Sequence, residues 1–197
     1  MNQTISPTVL IVPGLRDHVA DHWQTRCANA LPTSRTVPPL EADKLSCAAR
    51  VEALQAALQA IDGPVLLAAH CAGVMITVHW ARKYGHTRRI HGALLAAPAD
   101  LESPLPEGYP AIAAIEANGW LPVPRAALPF PSIIAASTND PLGSFERVEA
   151  MARDWGSRLV NIGAVGHLNP AAGFGEWPQA LTLLRQLSTA PATETAP

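Results

Sequence analysis

The segment Ala69-His70-Cys71-Ala72-Gly73 follows the aliphatic run "PVLLAA" and leads into a helical pattern. A strand, a sharp turn and a helix form the context in which a G-x-S-x-G motif presents its central side chain as a nucleophile. In this chain the first glycine of that pattern is Ala69 and the serine is Cys71. Small residues on both sides are needed because the turn brings two backbones together and forces the central residue into an unfavourable φ/ψ region, and Ala69 and Gly73 meet that need. Taken alone, the motif equally describes an ordinary buried thiol at a strand-helix corner.

A nucleophile of this kind requires a general base and an acid to orient it, each on a loop after a late strand, in the order nucleophile, acid, base. "STNDPLGS" follows the run 132–137, and "GAVGHLNP" follows the run 158–162, which puts Asp140 and His167 in the required order. His167 lies between Gly166 and Leu168 in a loop pattern, free to reach the turn. Asp140 precedes Pro141 and is also a good turn former or helix cap, so Asp100 in "APAD" stands as the substitute acid. His70 adjoins the nucleophile position but points the opposite way in such a turn, which suits structural support.

Apolar runs at 8–12, 64–69, 91–97, 132–137 and 158–162, with a weaker one at 34–38, are near-continuous, as buried parallel strands are. Helical patterns fall between them. In 44–61 Leu45, Ala49, Val51, Leu54, Leu58 and Ile61 share a stripe, and Asp62-Gly63-Pro64 ends it. Further helices are expected near 19–30, 72–84, 144–155 and 177–187. Alternating strands and helices predict an α/β fold, about six mainly parallel strands covered on both faces. The segment 98–131 holds eight of the nineteen prolines and reads as a long excursion over the carboxyl edge of the sheet. Trp120 and Leu121 in that excursion, with Trp23, are the expected pocket walls, although Trp23 serves equally well as core. A single domain is expected over 1–187, with 188–197 a disordered tail.

Composition excludes several functions. A formal charge of −2 and a pI near 6.4 offer no basic field for nucleic acid. The stretch "MNQTISPTVLIVPG" has no basic region followed by an apolar signal core, and no segment is apolar for long enough to span a membrane, so a cytoplasmic location is expected. Cys27, Cys47 and Cys71 are too few and too scattered for a disulfide scaffold or a zinc site. His18 and His22 are four apart, but without the Glu of H-E-x-x-H or a third ligand no metal is expected. Nucleotide-binding glycine motifs are missing, and no cofactor is expected. The oligomeric state is left open.

The stretches "VPGLRDHVADHWQ", "AHCAG", "ASTNDPLGSFERVEAMARDWGSRL" and "GAVGHLNPAAGFGEWPQAL" together resemble the small YdeN-like serine hydrolases, the α/β-hydrolase family that includes the retinoblastoma-binding hydrolases. The likeness extends over roughly 8 to 187. It implies a compact α/β-hydrolase sheet without a separate cap domain, a nucleophile-acid-base triad of Cys71, Asp140 and His167, and activity on small acyl substrates. It also implies an oxyanion hole from the N–H groups of Ala72 and Leu15, the latter in the loop after the first strand. The His22-Trp23 pair shares the resemblance and would brace that loop or line the pocket. Leu45-Ser46-Cys47-Ala48-Ala49 lacks the Glu of an L-x-C-x-E motif, which argues against retinoblastoma binding.

Cysteine at the serine position allows two readings, a site tuned for thiolate or a serine site in which sulfur is a replacement. The expected function is hydrolysis of a small ester, thioester, lactone or amide through an acyl-enzyme. The alternative is a catalytically weak binding module for a ligand or protein on the same scaffold, since fold does not fix function.

Overall fold

A computed structural model of the chain describes residues 6–189. Its strands are β1 (Thr8–Val12), β2 (Ser34–Thr36), β3 (Val65–Cys71), β4 (Gly92–Pro98), β5 (Ser132–Ala136) and β6 (Arg158–Asn161). They form one sheet in the order β2-β1-β3-β4-β5-β6, and every neighbouring pair is parallel. Parallel pairing requires crossovers. They are made by α1 (Trp23–Ala30), α2 (Cys47–Gln59), α3 (Ala72–Tyr84) and α5 (Phe145–Trp155), with a short α4 (Ile112–Ala117) inside the proline-rich excursion and α6 (Gln179–Thr189) at the end.

The period-2 alternation of the strands divides the core in two. Leu10, Val12, Leu67 and Leu95 face a layer made by α2, α3 and α5, with Leu54, Met75 and Met151 among its buried side chains. Val9, Ile11, Leu66 and Leu94 face α1 and α6, which contribute Trp23, Leu183, Leu184 and Leu187. This is a doubly wound parallel sheet, covered by helices on both faces as expected.

α3 spans Ala72–Tyr84 as expected, but α1 and α2 begin later than apolar periodicity suggests, because caps set their first turns. The side chain of Ser46 accepts from Ala49 N, so α2 starts at Cys47 rather than at 44. His22 does the same for α1 by accepting from Gln24 N, and α1 starts at Trp23 rather than near 19. At the other end α6 continues through Thr189, two residues into the expected tail; residues 190–197 lie outside the described part of the chain.

Candidate active site

β3 runs directly into α3 at Cys71, whose backbone is held at φ 57° and ψ −126°. A side chain pays roughly 1–3 kcal/mol for such a conformation, so the surroundings must enforce it. Two features do so. The pairing of β3 with β4 shifts register between His70 and Cys71. Gly73, in the first turn of α3, is pressed against the end of β1: a Cβ there would lie 2.1 Å from the Val12 carbonyl oxygen and 2.8 Å from that of Pro13. The loop after β1 also folds over the turn, with the Gly14 backbone so near that a Cβ on it would be 3.2 Å from Cys71 Cβ and 3.5 Å from Sγ.

Asp140 follows β5 and His167 follows β6, and both are buried. His167 Nδ1 lies 2.8 Å from Asp140 Oδ2 and 3.0 Å from Oδ1, which assigns the proton of Nδ1–H as donated to the carboxylate. Leu142 N donates to Asp140 Oδ1 at 2.8 Å and fixes the carboxylate in turn. The loops are tied to each other as well: Asn139 Oδ1 accepts from Gly166 N at 2.7 Å, and Ser137 Oγ accepts from Val165 N at 3.2 Å. The other imidazole nitrogen, His167 Nε2, is buried and has no hydrogen-bond partner among the described residues. Burial opposes the charged imidazole, but the hydrogen bond to Asp140 and the adjoining Cys71 thiol outweigh it and push the His167 pKa up to about 10.

His70 points away from the cysteine turn to the opposite face of β3, where its Nε2 lies 2.9 Å from the His167 carbonyl oxygen. It is an N–H donor there and holds the backbone of the His167 loop. Its ring also contacts His22 edge-on at a centroid separation of 4.6 Å. Burial, followed by repulsion from His167, depresses both rings, His70 well below the ordinary range and His22 to about 4. Both are therefore neutral near pH 7. Gln24 completes the brace by donating from Nε2 to Val12 O at 3.1 Å and Ala68 O at 2.8 Å, which staples α1 across β1 and β3.

Asp100, the substitute acid, is engaged elsewhere. Arg147 grips it through Nε at 2.8 Å and Nη2 at 3.0 Å, and Ser103 Oγ donates to it at 2.6 Å. Its carboxylate belongs to an ion-pair network with Glu102 and Arg125 that anchors the start of the proline-rich excursion to α5.

A cavity of about 310 Å³ opens beside Cys71 and His167, and Leu15 and Ala72 both line it. Ala72 is the first residue of α3, where a backbone N–H has no intrahelical acceptor. The expected walls at Trp23, Trp120 and Leu121 are not among its lining residues. Trp120 is fully buried and donates from Nε1 to Leu45 O at 2.7 Å, while Leu121 packs at the edge of that same core layer. Trp23 is core on the α1/α6 face, edge-on to Trp177 at 4.9 Å. The observed walls come from the earlier part of the excursion, including Leu101, Leu105 and Tyr109, and from Pro170 and Ala171 beyond His167. The excursion thus lies over the carboxyl edge as expected, but it lines the cavity through its start rather than through Trp120 and Leu121. Among the described residues no group of three or more His, Cys, Asp and Glu side chains could hold a metal ion, and no helix is long and apolar enough to cross a membrane.

Sheet order, helix placement and the loops carrying Cys71, Asp140 and His167 define an α/β hydrolase. By a family model described as serine hydrolase, which matches residues 9–186, the chain belongs to the small YdeN-like serine hydrolase family. A protein described as a YdeN-like hydrolase from Pectobacterium atrosepticum is 30% identical, with 93% of this chain and 91% of that one covered and a TM-score of 0.77. The ydeN gene product of Bacillus subtilis superposes with a TM-score of 0.74 at 15% identity, covering 94% of this chain and all of the other. A thermophilic esterase from Thermogutta terrifontis shares the fold at a TM-score of 0.60 and 19% identity, covering 93% and 92%. No curated protein matches the chain by sequence.

Proposed function

We propose that the protein hydrolyses small acyl substrates (esters, thioesters, lactones or amides) through Cys71, His167 and Asp140 as nucleophile, base and orienting acid. The observation that carries this reading is the His167 imidazole, bound to Asp140 through Nδ1 while Nε2 stays buried and unbonded beside a thiol on a positive-φ residue.

In the first half-reaction Cys71 Sγ, its proton on His167 Nε2, adds to the substrate carbonyl carbon. The carbonyl electrons move to oxygen, which the N–H groups of Ala72 and Leu15 would stabilise as an oxyanion. Collapse restores the carbonyl, breaks the bond to the leaving group and transfers the Nε2 proton to it. Water then attacks the thioester with His167 as base, and a second collapse releases the acid and returns the proton to sulfur. Asp140 keeps Nδ1–H fixed throughout, so that Nε2 is the nitrogen that exchanges protons. The cavity volume suits a short or medium acyl group, and the esterase among the structural neighbours makes ester cleavage a reasonable first assay.

The test is hydrolysis of a graded panel of p-nitrophenyl esters and acyl thioesters by the unaltered chain, Cys71→Ala and His167→Ala. Turnover that both substitutions abolish supports the enzyme. An unaltered chain that turns over none of the panel, with Cys71 unreactive toward thiol probes, favours the binding module instead.

A further inference from the structure

Arg50 is a charged side chain in the core layer under α2, only 5% exposed. A buried guanidinium is retained when it is paired and its donors are satisfied. All of its partners lie in loops. Arg50 Nη1 pairs with Asp17 Oδ1, Nη2 donates to Leu15 O at 3.3 Å, and Nε donates to Lys44 O at 2.9 Å. Two of these three contacts fall on one turn, Gly14-Leu15-Arg16-Asp17, which is closed by Asp17 N donating to Gly14 O at 3.0 Å. Asp17 holds φ at 55°, a left-handed conformation that its ion pair secures.

This turn sets the direction of one N–H group. In a trans peptide the carbonyl and the N–H point in opposite directions. With Gly14 O turned inward to accept from Asp17, the N–H of Leu15 is turned outward, and no hydrogen bond from it is found among the described residues. The same Gly14 backbone abuts the Cys71 side chain, and Leu15 lines the cavity.

We propose that Arg50 is a positioning residue: from beneath the turn it holds Asp17 and the Leu15 carbonyl, and so keeps the Leu15 N–H aimed at the place where substrate oxygen gains charge. This rests on the acyl-transfer reading above. Arg50 does not line the cavity and touches no substrate, so its effect is confined to steps in which an oxyanion forms. Asp17, although it lines the cavity, is neutralised by the same pair and serves the turn.

Two reactions at the same sulfur separate this role from a general structural one. Hydrolysis of p-nitrophenyl acetate passes through an oxyanion in both half-reactions. Alkylation of Cys71 by iodoacetamide forms a C–S bond as iodide leaves a CH₂ group, and no oxyanion arises. In Arg50→Met, kcat for p-nitrophenyl acetate is expected to fall about 10²-fold, the scale of losing one oxyanion donor, with KM little changed. The alkylation rate at Cys71, followed by peptide mass, is expected to match that of the unaltered chain. Arg50→Lys keeps the charge for Asp17 but not the forked donors, and is expected to lie between the two. Should Arg50→Met not fold, Arg50→Lys and Asp17→Asn carry the same comparison. Hydrolysis and alkylation falling in parallel, or a change in KM alone, or no change in kcat would overturn the assignment. An unaltered chain inert to both reagents would instead remove the acyl-transfer reading and this assignment with it.

Discussion

Gly73 and Val12 are packed so closely that no side chain fits between α3 and the end of β1, where a Cβ would lie 2.1 Å from the carbonyl oxygen. The contact joins the first turn of the helix after Cys71 to the loop that carries Leu15. Packing at one glycine therefore sets the distance between the two proposed oxyanion donors.

Gly73→Ala tests that contact. Helix propensity alone would favour alanine by about 1 kcal/mol. The clash is with backbone, which cannot rotate away, and an overpacked site costs typically ~1–3 kcal/mol. Net destabilisation is expected, read as a lower denaturant midpoint, together with loss of ester hydrolysis. A more stable variant would show that β1 and α3 can separate without cost.

Cys71→Ser addresses the sulfur. Removing the thiol takes away one of the influences that raise the His167 pKa, while the larger one, the hydrogen bond to Asp140, stays, so the pKa is expected to move down toward the ordinary value. Every other motif is that of a serine hydrolase, and a gain in kcat/KM on a single ester is expected. A large loss would mean that the site is tuned for thiolate.

His167 also links stability to pH. Its folded pKa lies above the ordinary value of 6.5, at about 10, so the folded state binds the proton more tightly than the unfolded state. The stabilisation is fully present below about 6.5 and is lost as pH rises through about 10. Melting temperature is expected to fall across that interval, and to fall less in Asp140→Asn. Identical slopes in the two proteins would rule out the pair as the source.

Trp120→Phe keeps the ring in the core but removes the donor to Leu45 O. Losing a part-buried hydrogen bond costs about 0.5–1.5 kcal/mol, so the midpoint should drop while ester kcat/KM stays the same. Altered selectivity among acyl chain lengths would return Trp120 to the cavity wall.

The strands were legible because burial on both faces demands unbroken apolar runs, and the loops bearing Cys71, Asp140 and His167 could be placed because each directly follows such a run. Helix starts were less legible: His22 and Ser46 act through one side-chain acceptor each, a signal that apolar periodicity does not contain. The walls were legible only in part: the excursion 98–131 does line the cavity, through Leu101, Leu105 and Tyr109, but not through Trp120 or Leu121. Size and aromaticity pointed to Trp23 and Trp120, yet a large ring with one N–H is at least as well suited to the core, and the space beside Cys71 is bounded instead by residues such as Leu101, Leu105, Tyr109, Pro170 and Ala171. Arg50 sits beside an apolar stripe, and two of its three partners, Asp17 and Leu15, are 33 and 35 residues away in sequence, beyond the reach of local pattern.

The two outer strands carry one more consequence. β2 is three residues long with Arg35 at its centre, and β6 is four residues long and opens on Arg158. A free edge recruits other chains when it is long, flat and apolar, and short strands bearing cations resist that. The sheet is thus blunted at both margins against growing sideways into a neighbour. Pairing through these margins is disfavoured, and an Arg35→Val, Arg158→Val pair of exchanges is expected to raise edge-to-edge aggregation.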